Sequence, residues 1–159
     1  MDEPPQLSVI LPVLNEQGNV MPLIDEIDAA LRARLRYEVV VVDDASTDGT
    51  PDEITRTAER NPRVRSVRHE ATRGQSAAIR TGVKAAAAPV IAVLDGDGQN
   101  DPADVLRLYD PLLADPAIRM VIGNRRNRHD SWVRKMSSRI ANAVRNAVLK
   151  DGVKDTGWE

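Results

Sequence analysis

Val90-Ile91-Ala92-Val93-Leu94-Asp95-Gly96-Asp97-Gly98-Gln99-Asn100-Asp101-Pro102 is the stretch on which the reading of this chain turns. Its apolar residues, three of them β-branched (Val90, Ile91, Val93), run without a polar break and stop on an acid. A short apolar run bounded by turn residues reads as a strand buried on both faces, as in a parallel sheet. Asp95 and Asp97 then fall one residue apart at its carboxyl end, the edge where open α/β sheets bind ligands. Two carboxylates so close repel unless a cation or a proton stands between them. Asp95, Asp97 and the Gln99 amide offer hard oxygen donors that suit Mg²⁺ or Mn²⁺, ions that often share such ligands with substrate phosphates. Gly96 and Gly98 remove side chains beside the acids, so a bulky ligand can approach the backbone.

Rival readings of the stretch are a loop whose Gly and Asp serve turn chemistry only, a calcium loop and a phosphatase nucleophile. A calcium-binding EF-hand loop beginning at Asp95 needs Gly at its sixth position and Glu at its twelfth. Asn100 and Leu106 stand there, so that reading fails. Leu94-Asp95-Gly96-Asp97-Gly98 also fits the nucleophile strand of a haloacid-dehalogenase-type phosphatase. That rival stands until the rest of the chain is read.

Composition sets the outer bounds. At 159 residues the chain reads as one domain, of a size that buries roughly 70% of its unfolded surface. Its 42% apolar and 29% charged residues are those of an ordinary globular protein. A net charge of −2 speaks against bulk nucleic-acid binding. Without cysteine there is no disulfide framework, thiolate zinc site or cysteine nucleophile. No apolar run approaches the ~20 residues that span a bilayer and no signal peptide opens the chain, so the expected location is the cytoplasm. Phe is absent and aromatics total 3%, which leaves Val, Ile, Leu and Ala to build the core.

The flanking segments alternate strand and helix. Leu7 to Leu14 and Tyr37 to Val42 read as buried strands, the first with Pro12 near its end and the second running into Asp43-Asp44. Between them Val20, Leu23, Ile24, Ile27, Ala30 and Leu31 recur at helical spacing behind Asn19 as N-cap. Thr50, Pro51 and Glu53 read as N-cap, first helical residue and capping box of the next helix. Val64 to His69 alternates as a more exposed strand, a helix follows Thr72-Arg73-Gly74 to about Ala88, and a further helical stripe runs from Val105 to Leu113. Met120-Val121-Ile122-Gly123 is expected as a fifth strand. This alternation implies a mostly parallel sheet with helices on both faces, an α/β fold. Polar strand ends at Pro12–Glu16, Asp43 and Asp95 outline one nucleotide-sized crevice. The first turn has one glycine, not Gly-x-Gly-x-x-Gly, and no Walker loop occurs, so phosphates must be neutralised by a metal on the acidic strand end.

Three ordered blocks carry a resemblance: Leu11-Pro12-Val13-Leu14-Asn15-Glu16, Val41-Val42-Asp43-Asp44-Ala45-Ser46-Thr47-Asp48-Gly49-Thr50, and Leu94 to Pro102. Together they resemble the inverting glycosyltransferases of family 2, and within them the polyprenyl-phosphate sugar transferases of the dolichol-phosphate mannose synthase group. The resemblance implies the GT-A fold, a Rossmann-like sheet with an Asp-x-Asp metal site for Mg²⁺ or Mn²⁺, a nucleotide-sugar donor and a polyprenyl phosphate acceptor. It demotes the phosphatase, whose nucleophile strand comes first in the chain. By resemblance Pro12, Asn15 and Glu16 border the nucleobase and ribose. Asp43 hydrogen-bonds the base, and Asp44 either joins it or braces the turn. Asp95 and Gly96 face the ribose and metal, with Asp97 and Gln99 as direct ligands. Arg73 either contacts base or phosphate or is a solvated charge. Leu14 stands where relatives often carry Tyr, which removes a stacking surface for the base. Both His69 and His129 read as surface residues.

From Arg125 the composition turns basic, and Trp132, Met136, Ile140, Ala143, Val144, Ala147 and Val148 recur on one side of an expected amphipathic helix. That segment is either a solvated face over a core stripe or a surface for anionic membrane. Arg125 aligns with a family arginine that approaches the phosphates. Val153-Lys154-Asp155-Thr156-Gly157 resembles the element beside the acceptor, where Asp155 takes the proton if the acceptor is a sugar hydroxyl. Relatives continue well past this point, so the chain reads as a donor half with the acceptor side cut off. Two functions stay open: an inverting transferase at the cytoplasmic membrane face, or a non-catalytic nucleotide-binding remnant.

Overall fold

Residues 3–98 and 100–123 are described by a computed structural model of the chain. Four strands, β1 (Leu7–Val13), β2 (Tyr37–Asp43), β3 (Val64–Arg68) and β4 (Val90–Val93), alternate with four helices, α1 (Val20–Leu31), α2 (Thr50–Arg60), α3 (Gln75–Ala85) and α4 (Asp104–Ala114). The sheet order is β3-β2-β1-β4, and every neighbouring pair is parallel. The α/β architecture expected from the alternating pattern is therefore present.

β1 and β2 occupy the centre, and all fourteen of their residues are buried. Both are nearly continuous apolar runs because each packs on two faces. Residue parity sorts those faces. Leu7, Val9, Leu11, Val13, Val39 and Val41 join Val20, Ile24, Ile27, Ile54, Val105 and Tyr109 in a large core cluster under α1, α2 and α4. Ile10, Val40 and Val42 point the other way, against Ala78 of α3. This second layer is thin because α3 presents small residues, and a Cβ on Gly82 would collide with Ile10 and press on Val42. Burial of each Val, Ile or Leu here contributes about 1.5–3 kcal/mol. One compact unit of the chain ends at Ile122.

Several boundaries differ from the expectation. β4 is only partly buried and Val93 is 44% exposed, because among the described residues it is an edge strand paired with β1 alone. Met120 to Gly123 form no strand: Met120 and Ile122 stand 73% and 75% exposed, with no neighbour among the described residues to pair them. α3 ends at Ala85, short of Ala88. The capping box is also replaced. Gly49 holds the N-cap of α2, and Glu53 reaches across to α1, accepting from Gly18 N–H at 2.5 Å and Met21 N–H at 2.7 Å. Asn19 does sit at the N-cap of α1, but its side chain donates to Glu16 instead of capping the helix.

Candidate functional site

β1 is the point where the strand order reverses: the chain passes through β2 and β3 on one side, then returns to place β4 on the other. Loops that leave the carboxyl ends of strands on either side of such a point diverge and leave a crevice. The β4 acids stand at this carboxyl edge, and Pro12 helps to place them. Ile10 pairs with Val93 in the β1–β4 register, and Leu94 N–H donates to Ile10 C=O at 3.1 Å. The next rung of a parallel ladder runs from the residue-12 N–H to the Leu94 carbonyl, and proline has no N–H to give. The ladder stops there and the chain turns at Asp95. Gly96 follows for packing: a Cβ on it would lie 2.6 Å from Val13 Cγ1 and 3.0 Å from the Pro12 carbonyl oxygen. Its expected role as a gap for ligand is therefore corrected, whereas an added Cβ at Gly98, with φ +69°, would meet open space.

The loops after β1 and β2 are laced together. Asn15 N–H donates to Ser46 Oγ at 2.9 Å, and Asn15 Oδ1 accepts from Thr47 N–H at 2.8 Å. Glu16 N–H donates to Thr50 Oγ1 and Gly49 N–H to Gln17 Oε1, each at 2.9 Å. Asn15 adopts φ 57°, a left-handed conformation that asparagine tolerates better than most residues. Asn15 thus spends its polar groups on shaping the rim of the crevice, and Glu16 accepts from Asn19 Nδ2 at 2.8 Å.

The two acids at the end of β2 divide their work. Asp43 is 2% exposed; its Oδ1 accepts from Ser46 N–H at 2.8 Å, while its Oδ2 lies 3.2 Å from Arg68 Nε in an ion pair that lacks hydrogen-bond geometry. Among the described residues this Oδ2 is the buried side-chain atom left without a hydrogen bond, an opening for a ligand N–H. Asp44 braces the fold. It accepts from Arg73 N–H at 2.9 Å and Gly74 N–H at 2.7 Å, and meets His69 Nδ1 at 2.6 Å. Burial alone pushes the Asp44 carboxyl up, but the bonds from His69, Arg73 and Gly74 outweigh it and hold the group below its ordinary range.

His69 is not a surface residue. It is 7% exposed, and its Nε2 meets Thr81 Oγ1 at 2.9 Å. Its position two residues after Val67 in an alternating segment, just past the end of β3, was the sequence signal for this. The fold uses the Arg73 backbone, and the side chain projects into solvent.

At the β4 end, Asp95 is half-buried and held from two sides, by Gln75 Nε2 at 3.1 Å and Asn100 Nδ2 at 3.2 Å, while Asp97 is exposed. No group of three His, Cys, Asp or Glu gathers closely enough to hold a metal by itself among the described residues. Gln99, Arg125, Asp155 and the basic Arg134–Lys150 segment lie outside those residues. Two concavities, about 260 Å³ beside Asp28 and Arg63 and about 460 Å³ beside Pro5, Pro89 and Tyr109, lie away from this carboxyl edge.

Known proteins resemble this chain in sequence and in fold. Over 154 residues the chain is 34% identical to the undecaprenyl-phosphate 4-deoxy-4-formamido-L-arabinose transferase of Serratia proteamaculans, a match covering 96% of this chain and 47% of that protein. It is 35% identical over 155 residues to the dodecaprenyl-phosphate galacturonate synthase of Rhizobium johnstonii, covering 96% and 46%. The chain thus spans about half the length of these relatives. A mannosyltransferase from Pyrobaculum calidifontis, solved with GDP-Man and Mn²⁺, superposes with a TM-score of 0.63 at 34% identity over 72% of this chain and 34% of that one. The sheet is accordingly of the GT-A kind. With residues 8–156 matching the family's sequence pattern from the start of β1 onward, this chain belongs to glycosyl transferase family 2.

Proposed function

We propose that the protein binds a nucleotide-sugar at the carboxyl edge of its sheet and moves the sugar, with inversion, to a polyprenyl phosphate. The observation that carries this reading is the Asp95-Gly96-Asp97 turn at the strand-order reversal, with Asp95 oriented by Gln75 and Asn100. One or two carboxylates are the usual protein contribution to a Mg²⁺ or Mn²⁺ site that keeps its waters and takes further oxygens from substrate phosphates. Asp95 and Asp97 fit that demand, with Gln99 as an additional oxygen donor. The Mn²⁺ beside GDP-Man in the Pyrobaculum enzyme supports the same choice of ion. Such an ion, when bound, supplies Lewis-acid stabilisation of the departing nucleoside diphosphate.

The chain's own groups divide the remaining work. Asp43 offers Oδ2 to a ring N–H of the base, and the laced Asn15–Thr50 loops form the wall beside it. Arg125 adds fixed positive charge where phosphate charge develops. A polyprenyl phosphate is already ionised at neutral pH, so its attack on the anomeric carbon needs no general base; a sugar-hydroxyl acceptor would require Asp155 to take the proton. The names of the two bacterial relatives support the lipid phosphate. No helix among the described residues is long and apolar enough to cross a membrane. The one-signed charge of the Arg134–Lys150 segment supports peripheral contact with anionic lipid, at the cytoplasmic membrane face.

The test is to incubate the chain with Mn²⁺, undecaprenyl phosphate and a radiolabelled UDP- or GDP-sugar, and to follow the label into the organic phase. Lipid-linked label of inverted anomeric configuration is expected. Donor binding without lipid-linked label would contradict transfer and leave a nucleotide-binding module.

A further inference from the structure

We propose that His69 is a positioning residue for the acids at the end of β4, acting through the N-terminus of α3. The inference rests on the donor-site reading above. His69 leaves the end of β3 and joins pieces that are distant in sequence. Its Nδ1 meets Asp44 Oδ1 at 2.6 Å and its Nε2 meets Thr81 Oγ1, on α3, at 2.9 Å. Asp44 in turn accepts from the Arg73 and Gly74 amides, the last two residues before α3. The first residue of that helix, Gln75, donates its amide to Asp95 at 3.1 Å.

These bonds tie α3 to the end of β2 at two points seven residues apart, directly at the Gly74 amide just before the helix and, through His69, at Thr81. Two fixed points set both the axial position of a helix and its rotation, and rotation decides where Gln75 reaches. Gln75 is exposed and long, so it holds Asp95 only if its backbone is already in place. An acceptor-only carboxylate faces Nδ1, so that nitrogen donates to Asp44, and Nε2 shares a hydrogen bond with the Thr81 hydroxyl. A residue needed only to fill space between β3 and α3 could be apolar. Here both nitrogens are engaged, and both partners belong to segments that carry the site.

The experiment is calorimetric titration of the full chain with UDP and with GDP, in Mn²⁺ and in excess chelator, paired with thermal melts of every variant. Loss of a group that orients a metal-bound carboxylate typically weakens binding about 10–100-fold. His69→Phe should therefore lose at least about ten-fold in Mn²⁺-dependent affinity, measured well below its own Tm, with the chelator value unchanged. His69→Asn, which restores an N–H toward Asp44, should recover most of that loss. Gln75→Ala cuts the last link at an exposed side chain and should show the same loss with an unchanged Tm.

A His69→Phe protein that melts lower but binds within about twofold of wild type in Mn²⁺ would reduce His69 to a structural role and overturn the proposal. If His69→Phe does not fold, unaltered binding by Gln75→Ala overturns it equally. Wild-type protein that binds neither nucleotide in Mn²⁺ would remove the donor-site reading and this inference together. Variants that match a binding wild type remove the inference alone.

Discussion

Asp44 concentrates more of the fold's polar work than any other acid at this edge. Removing its carboxylate leaves the Arg73 and Gly74 amides and one His69 nitrogen without their acceptor. A buried group so stranded costs about 1–3 kcal/mol; His69 is buried while water can reach the amides of the exposed Arg73 and Gly74, so Asp44→Ala should lower unfolding free energy by about 2–4 kcal/mol. The pH dependence has a definite sign. The folded carboxyl titrates below its ordinary value of 3.8, because the bonds outweigh the burial that opposes them. Its contribution is therefore complete above about pH 4 and lost as pH falls through the folded value. Melting curves from pH 6 to pH 2 should show the wild-type Tm falling more steeply at the acid end than that of Asp44→Asn; equal slopes would contradict the assignment. A paired Asp43-Asp44 is visible in the sequence, but which acid braces and which faces the crevice depends on a loop thirty residues later. His69 was hidden for the same reason. Its burial comes from α3 folding back over β1 and β2 and bringing Thr81 to it, and neither Asp44 nor Thr81 is a sequence neighbour.

At the scale of elements, α3 supplies a prediction whose sign runs against propensity. Gly→Ala inside a helix ordinarily stabilises by about 1 kcal/mol. At Gly82 the new Cβ would run into Ile10 and Val42 of the two central strands. Gly82→Ala should instead destabilise by about 1–3 kcal/mol, since a close-packed layer cannot absorb the added carbon. Denaturant titration checks this, and a raised midpoint would show that α3 can move off the sheet. The helices and central strands were legible because their burial is written as period 3.6 or as unbroken apolar runs. The outer strands were not: full burial of β4 and a strand at Met120 to Gly123 both required a neighbour that no local pattern can supply. The Arg134–Lys150 segment belongs to this scale too. Its charges are all of one sign, and each basic residue near anionic lipid contributes about 1 kcal/mol. Sedimentation with phosphatidylserine vesicles should show adsorption that raised salt weakens and that reversal of Arg134, Lys135 and Arg139 to Glu abolishes. Adsorption indifferent to both would contradict a charge-driven contact.

For the whole molecule, the crevice follows from topology more than from any one side chain. Reversal of strand order at β1, a proline that ends the β1–β4 ladder and an acid pair directly after it place two carboxylates on the same sheet edge as Asp43, with β1 between them. That acidic strand ends should line one edge was legible from the chain, because in a parallel sheet every strand points the same way. The bonds that orient those acids were not, since Gln75 and Asn100 carry no motif that announces them. Nucleotide binding here should run through a divalent cation held at Asp97 and Asp95. The most direct measurement is calorimetry of UDP and GDP binding to the wild-type chain and to Asp97→Ala, in Mn²⁺ and in excess chelator. Wild-type binding should require Mn²⁺, and Asp97→Ala should lose both the requirement and most of the affinity. Equal wild-type affinity in Mn²⁺ and in chelator would contradict it.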